Sequence, residues 1–200
     1  MPAASPRLAF VVFDDMTALD FLGAYDALVR LDTLDLVPGL AAEVVATTAT
    51  VRDGYGIAYG VHRSGESLAD YDAVVVPGGF GTRALADDED FLDWLRTASP
   101  VPLVASVCTG SLLLGAAGLL DGRAATTHPA AYDLLAKYTD DVRRERIVDS
   151  GGLVTAGGVT ASIDLGLHLC ERLAGAEARA RVAEQMDYPY RAASPVGAAC

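Results

Sequence analysis

VPLVASVCTGSLLLG (101–115) is the stretch that decides the fold. An apolar run of strand length, Val101–Val107, meets Cys108-Thr109-Gly110 and then a helix read over Ser111–Leu120. A strand, a tight turn and a helix with a reactive side chain at the turn make a nucleophile elbow, here with Cys instead of Ser. Gly110 permits close packing at such a turn. A thiol at a helix N-terminus faces partial positive charge and unpaired N–H groups, which favour thiolate. Lowering its pKa by about three units takes on the order of 4 kcal/mol, within reach of a dipole plus hydrogen bonds. The plain alternative for Cys108 is a small buried hydrophobe that follows a strand.

Outward from this stretch, Leu8–Phe13 (LAFVVF) and Ala73–Val76 (AVVV) are further continuous apolar runs, read as buried strands. Glu43–Thr47 and Ala124–Thr127 read as shorter strands, and Arg146–Val148 with Leu153–Ala156 as a hairpin around Ser150-Gly151-Gly152. Ile57–Val61, among Gly54, Gly56 and Gly60, suggests a hairpin or excursion at a sheet edge. Helical spacing predicts helices over Thr17–Leu31, Ala130–Tyr138, Ala161–Ala174 and Ala176–Met186. Another is expected over Asp87–Thr97, with acids in its first turn and Arg96 in its last. This alternation implies an α/β fold with a mainly parallel sheet covered on both faces.

The 200 residues and 20.8 kDa fit a single domain over 1–190, with 191–200 a loose Ala, Ser, Pro and Gly tail. At 52% hydrophobic the chain can bury a sizeable core, yet no apolar run reaches the roughly 18 residues of a membrane span. Met1–Pro6 lacks the basic flank and apolar core of a signal peptide, so a cytoplasmic protein is expected. Fifteen basic against 27 acidic residues leave a net charge of −12, which opposes binding to a polyphosphate backbone. The only lysine is Lys137; such a composition fits a salt-loving or a GC-rich source. Cys108, Cys170 and Cys200 are too few and too scattered for a disulfide framework or a zinc site.

Open α/β sheets carry their sites at the C-terminal ends of strands, which selects the remaining candidates. Pro77-Gly78-Gly79-Phe80-Gly81 leaves the Ala73–Val76 strand, and the N–H groups of Gly78 and Gly79 are candidates for an oxyanion hole. The plain alternative is an ordinary glycine-rich strand exit. Asp20, early in the first helix, is either a dipole partner or a proton donor beside the thiol. A carboxyl next to a thiolate is expected to hold its proton above the usual range. His128, just after the Ala124–Thr127 strand, is a site-lining candidate or a structural loop histidine. His62 and His168 have no comparable setting; Cys170, on the same apolar helix as His168, reads as core, and terminal Cys200 as uninvolved.

Together VVVPGG (74–79), ASVCTGSLLLGAAGLLDGRAATTHP (105–129) and GGLVTAGGVTASIDLGLHL (151–169) resemble the ThiJ/PfpI superfamily, the class I glutamine amidotransferase-like relatives of the parkinsonism-associated deglycase. The likeness runs from about residue 7 to 188. It implies a flavodoxin-like, doubly wound fold, a nucleophilic cysteine on a strained turn, and a homodimer. Thr109 stands where the protease-like branch has histidine, and Asp20 where the deglycase branch has glutamate. With CTGS, GLLDGRAATTH and TASID the pattern most resembles the isonitrile hydratase branch. That branch implies Cys108 as nucleophile, Asp20 as proton donor, Thr109 holding the site by hydroxyl and N–H, and Gly79 N–H assisting charge stabilisation. His128 would line the site, and Asp164 would be a structural hydrogen-bonder. No cofactor and no metal are implied; the partner is a small-molecule substrate, with no nucleic acid and no membrane. Pro129 departs from the aromatic residue common in the hydratases and alters the pocket. Other readings on the same cysteine are glyoxalase or deglycase chemistry, a redox sensor that oxidises at Cys108, and a small-metabolite binding module.

Overall fold

The computed structural model describes residues 5–190, so the expected tail at 191–200, with Cys200, lies outside the described residues. Seven strands form one sheet in the order β5-β2-β1-β6-β7-β9-β8. They are β1 (Arg7–Val11), β2 (Ala41–Ala46), β5 (Arg63–Ser64), β6 (Ala73–Val76), β7 (Leu103–Val107), β8 (Ile147–Asp149) and β9 (Leu153–Ala156). All neighbours are parallel except β8, which closes the far edge as the antiparallel arm of a hairpin with β9. β6 and β7 are buried along their whole length, as their unbroken apolar sequences require of central strands with helices on both faces.

α1 (Ala18–Thr33) and α6 (Ala161–Gln185) pack together on one face. A Cβ on Gly166 would lie 2.7 Å from Ala27 Cβ and 3.0 Å from Ala24 Cα, so small residues let these helices approach closely at this crossing. The other face carries α2 (Thr82–Leu85), α3 (Glu89–Arg96), α4 (Gly110–Ala116) and α5 (Tyr132–Leu135). Asp88 caps α3 by accepting from Phe91 N at 3.2 Å. β3 (Thr50–Arg52) and β4 (Ala58–Gly60) form the expected hairpin outside the main sheet.

The doubly wound α/β architecture is therefore the one the sequence implies, with local differences. Ala124–Thr127 is not a strand: only Ala125 makes an isolated bridge, to Val142. The helix expected over Ala130–Tyr138 starts as a 3₁₀ turn at Pro129–Ala131 and ends after Leu135, and Tyr138 leaves it to pack against Gly115. α4 stops at Ala116, since the chain turns at Gly118 with a φ of +77°. The two closing helices run end to end across a break at Gly175 (φ +87°, ψ 169°).

Candidate active site

β1, β6, β7 and β9 are consecutive, parallel neighbours, so the loops that leave them converge at one sheet edge. The loops that follow β6, β7 and β9 carry Gly78-Gly79, Cys108 and Val159, and the start of α1 after β1 carries Asp20. Cys108 has a φ of +56°, the left-handed region that non-glycine residues rarely occupy. Holding it there costs about 1–3 kcal/mol, supplied by the surroundings. Its N–H donates to the carbonyls of Ala156 (3.0 Å) and Gly157 (2.9 Å). Its carbonyl accepts from the hydroxyls of Thr127 (2.9 Å) and Ser111 (3.2 Å). At Gly110 an added Cβ would stand 2.4 Å from the Val76 carbonyl oxygen, so the turn closes only over glycine. The strained elbow expected from 101–115 is present.

Asp20 is fully buried in the first turn of α1. Its Oδ2 accepts from Gly78 N at 3.0 Å, while Oδ1 has no hydrogen-bond partner among the described residues. Burial, only partly offset by the Gly78 N–H and the Cys108 thiol, pushes this carboxyl up to about 6. Cys108 is 6% exposed. Burial first and the Asp20 charge second push its thiol up to about 11, against the pull of the Thr109 and Val159 N–H groups. Burial and the mutual proximity of the two groups thus act against the backbone donors that favour a thiolate at this turn, and both members of the pair hold their protons more tightly than free side chains do. Val159 itself has a φ of +35°, strained for a β-branched residue, in the loop that brings its N–H to the sulfur.

The glycine N–H groups also differ from expectation. Gly78 N is taken by Asp20, and Gly79 N donates to Thr109 Oγ1 at 3.0 Å, so neither is an open oxyanion donor. They orient the acid and the threonine instead. Thr82, which sequence reasoning passed over, is fully buried beside them; its hydroxyl donates to the Gly79 carbonyl at 2.8 Å and lies 3.1 Å from Thr109 Oγ1. Thr127 was the second omission, although it sits in the quoted TTHP beside His128.

Cys108 and Thr109 open into a cavity of about 540 Å³, whose wall includes Leu19, Tyr55, Phe80 and His128. Tyr55 and Phe80 stand at its mouth, 90% and 80% exposed. His128 accepts from Ala130 N at 3.1 Å through Nδ1, capping the 3₁₀ turn, and its ring lies against Gly158. The remaining expected bystanders sit elsewhere. His62 Nδ1 accepts from Val44 N, and His168 pairs with Asp149. Asp164 accepts from Arg146 and Tyr188, both at 2.6 Å. Cys170 is core, its thiol pushed up to about 12 by burial. Among the described residues no group of three or more His, Cys, Asp or Glu is placed to hold a metal ion, and no helix is long and apolar enough to cross a membrane.

Residues 6–172 match the model of the DJ-1/PfpI family. The chain belongs to the DJ-1/PfpI family. It is 37% identical over 194 residues to the isonitrile hydratase of Pseudomonas putida, covering 94% of this chain and 83% of that enzyme. It is 34% identical over 127 residues to protein DJ-1alpha of Drosophila melanogaster, 61% of this chain and 57% of that protein. The fold superposes on a ThiJ/PfpI family protein from Pseudomonas syringae with a TM-score of 0.84 at 28% identity, covering 94% of this chain and 77% of the other.

Proposed function

We propose that the chain is a cysteine-dependent enzyme that hydrates an isonitrile to an N-substituted formamide, with Cys108 as nucleophile and Asp20 as proton carrier. The observation that carries this reading is the Asp20 carboxyl: fully buried, held through Oδ2 by Gly78, and with Oδ1 unpartnered beside a thiol that opens into a cavity. A buried carboxylate oxygen without a hydrogen-bond partner is costly, and a role in carrying a proton accounts for it. The 37% identity to an isonitrile hydratase over nearly the whole chain supports the same reading.

Asp20 in its carboxylate form takes the thiol proton as sulfur bonds to the terminal isonitrile carbon, and delivers it to that carbon. The product is a thioimidate, R–N=CH–S–Cys108. Asp20 then accepts a proton from water as oxygen adds to the same carbon. Asp20 passes that proton to the nitrogen, the C–S bond breaks, and the proton of the added hydroxyl returns to sulfur as R–NH–CHO leaves. Thr109, fixed by Gly79 and Thr82, lines the reacting centre with hydroxyl and N–H. Cytoplasmic placement suits a nucleophile that must stay a free thiol.

The test is parallel turnover of an alkyl isonitrile and of methylglyoxal, with Cys108→Ser as control. Formamide from the isonitrile alone, lost in the variant, is the expected result. Consumption of methylglyoxal alone moves the protein to glyoxalase or deglycase chemistry.

A further inference from the structure

Arg83 is the one Arg, Lys, Asp or Glu side chain among the described residues that line the 540 Å³ cavity. In a chain with 27 acids, this wall contains no carboxylate. Arg83 makes no ion pair among the described residues; the other cavity-facing polar groups are neutral hydroxyls, His128 and the thiol. Its guanidinium lies over the Phe80 ring, 5.1 Å from the centroid, and Nη1 reaches the Gly79 carbonyl only at 3.5 Å. Phe80 and the short α2 thus hold the charge at the mouth while leaving most of its N–H donors free. A guanidinium stays charged at any physiological pH and presents a planar fork that matches a carboxylate.

We propose that Arg83 binds a carboxylate on the part of the substrate that does not react, so the preferred substrate is an isonitrile with a carboxylate joined through an apolar stretch. Leu19, Tyr55 and Phe80 provide apolar wall for that stretch, and Cys108 faces the isonitrile carbon. The inference rests on the hydratase reading for the identity of the reacting group, and on Arg83 alone for the anionic end.

Two measurements separate these. First, Cys108 is alkylated with iodoacetate and with iodoacetamide, which differ in charge and need no turnover. Arg83→Gln lowers the iodoacetate-to-iodoacetamide rate ratio by up to about fivefold, the upper end of what an exposed ion pair contributes. Arg83→Lys keeps most of the ratio, and Arg181→Gln, on α6, controls for net charge. Second, kcat/KM is compared for an isonitrile carboxylate and its methyl ester. The free acid is preferred by the native protein, the preference shrinks in Arg83→Gln, and added salt weakens it. Absence of turnover with both isonitriles overturns the hydratase reading, while the alkylation ratio still reports on Arg83. A ratio that Arg83→Gln leaves unchanged, or an ester preferred over the acid, overturns the anion site even where hydration is found.

Discussion

The chemistry at the residue scale turns on which atom of the Asp20–Cys108 pair carries the proton. Asp20 lies above its ordinary 3.8, at about 6, because burial disfavours the carboxylate. The folded state therefore binds this proton more tightly than the unfolded chain. The resulting loss of stability is complete above about pH 6 and fades as pH falls toward 4. Asp20→Asn keeps an acceptor for Gly78 N and removes the buried charge. It is expected to raise stability by roughly 2 kcal/mol at pH 8, with the gain vanishing near pH 4, as measured by urea unfolding. The same variant removes the Coulombic push on the thiol, so alkylation of Cys108 by iodoacetamide at pH 8 becomes faster while isonitrile turnover falls by more than a hundredfold. A variant that slows both in parallel would mean that Asp20 only shapes the pocket.

At the scale of elements, the elbow is held from outside itself. Thr127, in the segment after α4, pins the Cys108 carbonyl, and Ala156 and Gly157 pin its amide from the end of β9. Thr127→Val keeps shape and removes the donor. A loss of about 1–2 kcal/mol in stability is expected, with a fall in kcat larger than any change in KM, because a relaxed turn misplaces the sulfur. Gly110→Ala should cost more than about 3 kcal/mol, read from the denaturation midpoint, since the Val76 carbonyl cannot yield without breaking the β6–β7 edge. The central strands, the elbow and the hairpins were legible because their apolar runs and glycine turns are local properties of the chain. Ala124–Thr127 looked like a strand on composition, but its hydrogen bonds go to side chains and loops: Thr126 N donates to Thr155 Oγ1 and the Thr126 hydroxyl to Glu145. Sequence periodicity carries no trace of such partners. Cys108, Asp20 and Thr109 were likewise legible from their strand-end positions, whereas Thr82 and the sequestered glycine N–H groups depend on pairings 27–58 residues apart. The raised thiol pKa depends on how deeply three loops bury one sulfur, which no spacing encodes.

At the scale of the whole molecule, the net charge of −12 surrounds a cavity wall whose one formal charge is positive. Tyr55, Ile57, Phe80 and the α1 residues Leu19 and Leu22 leave large apolar surface exposed, which suits the homodimer that the family resemblance implies. Light scattering is expected to return twice 20.8 kDa across a wide concentration range; a value of 20.8 kDa throughout would oppose a dimer. The covalent bond between Cys108 and the isonitrile carbon is accessible to intact-protein mass spectrometry of samples mixed with excess alkyl isonitrile and quenched in acid within the first turnover. A species heavier by the whole mass of the isonitrile is expected, with nothing lost, because thioimidate formation only moves the thiol proton to carbon. The added mass should map to the peptide that contains Cys108 and be absent in Cys108→Ser. Formamide produced with no adduct at Cys108, and with the same rate in Cys108→Ser, would contradict it.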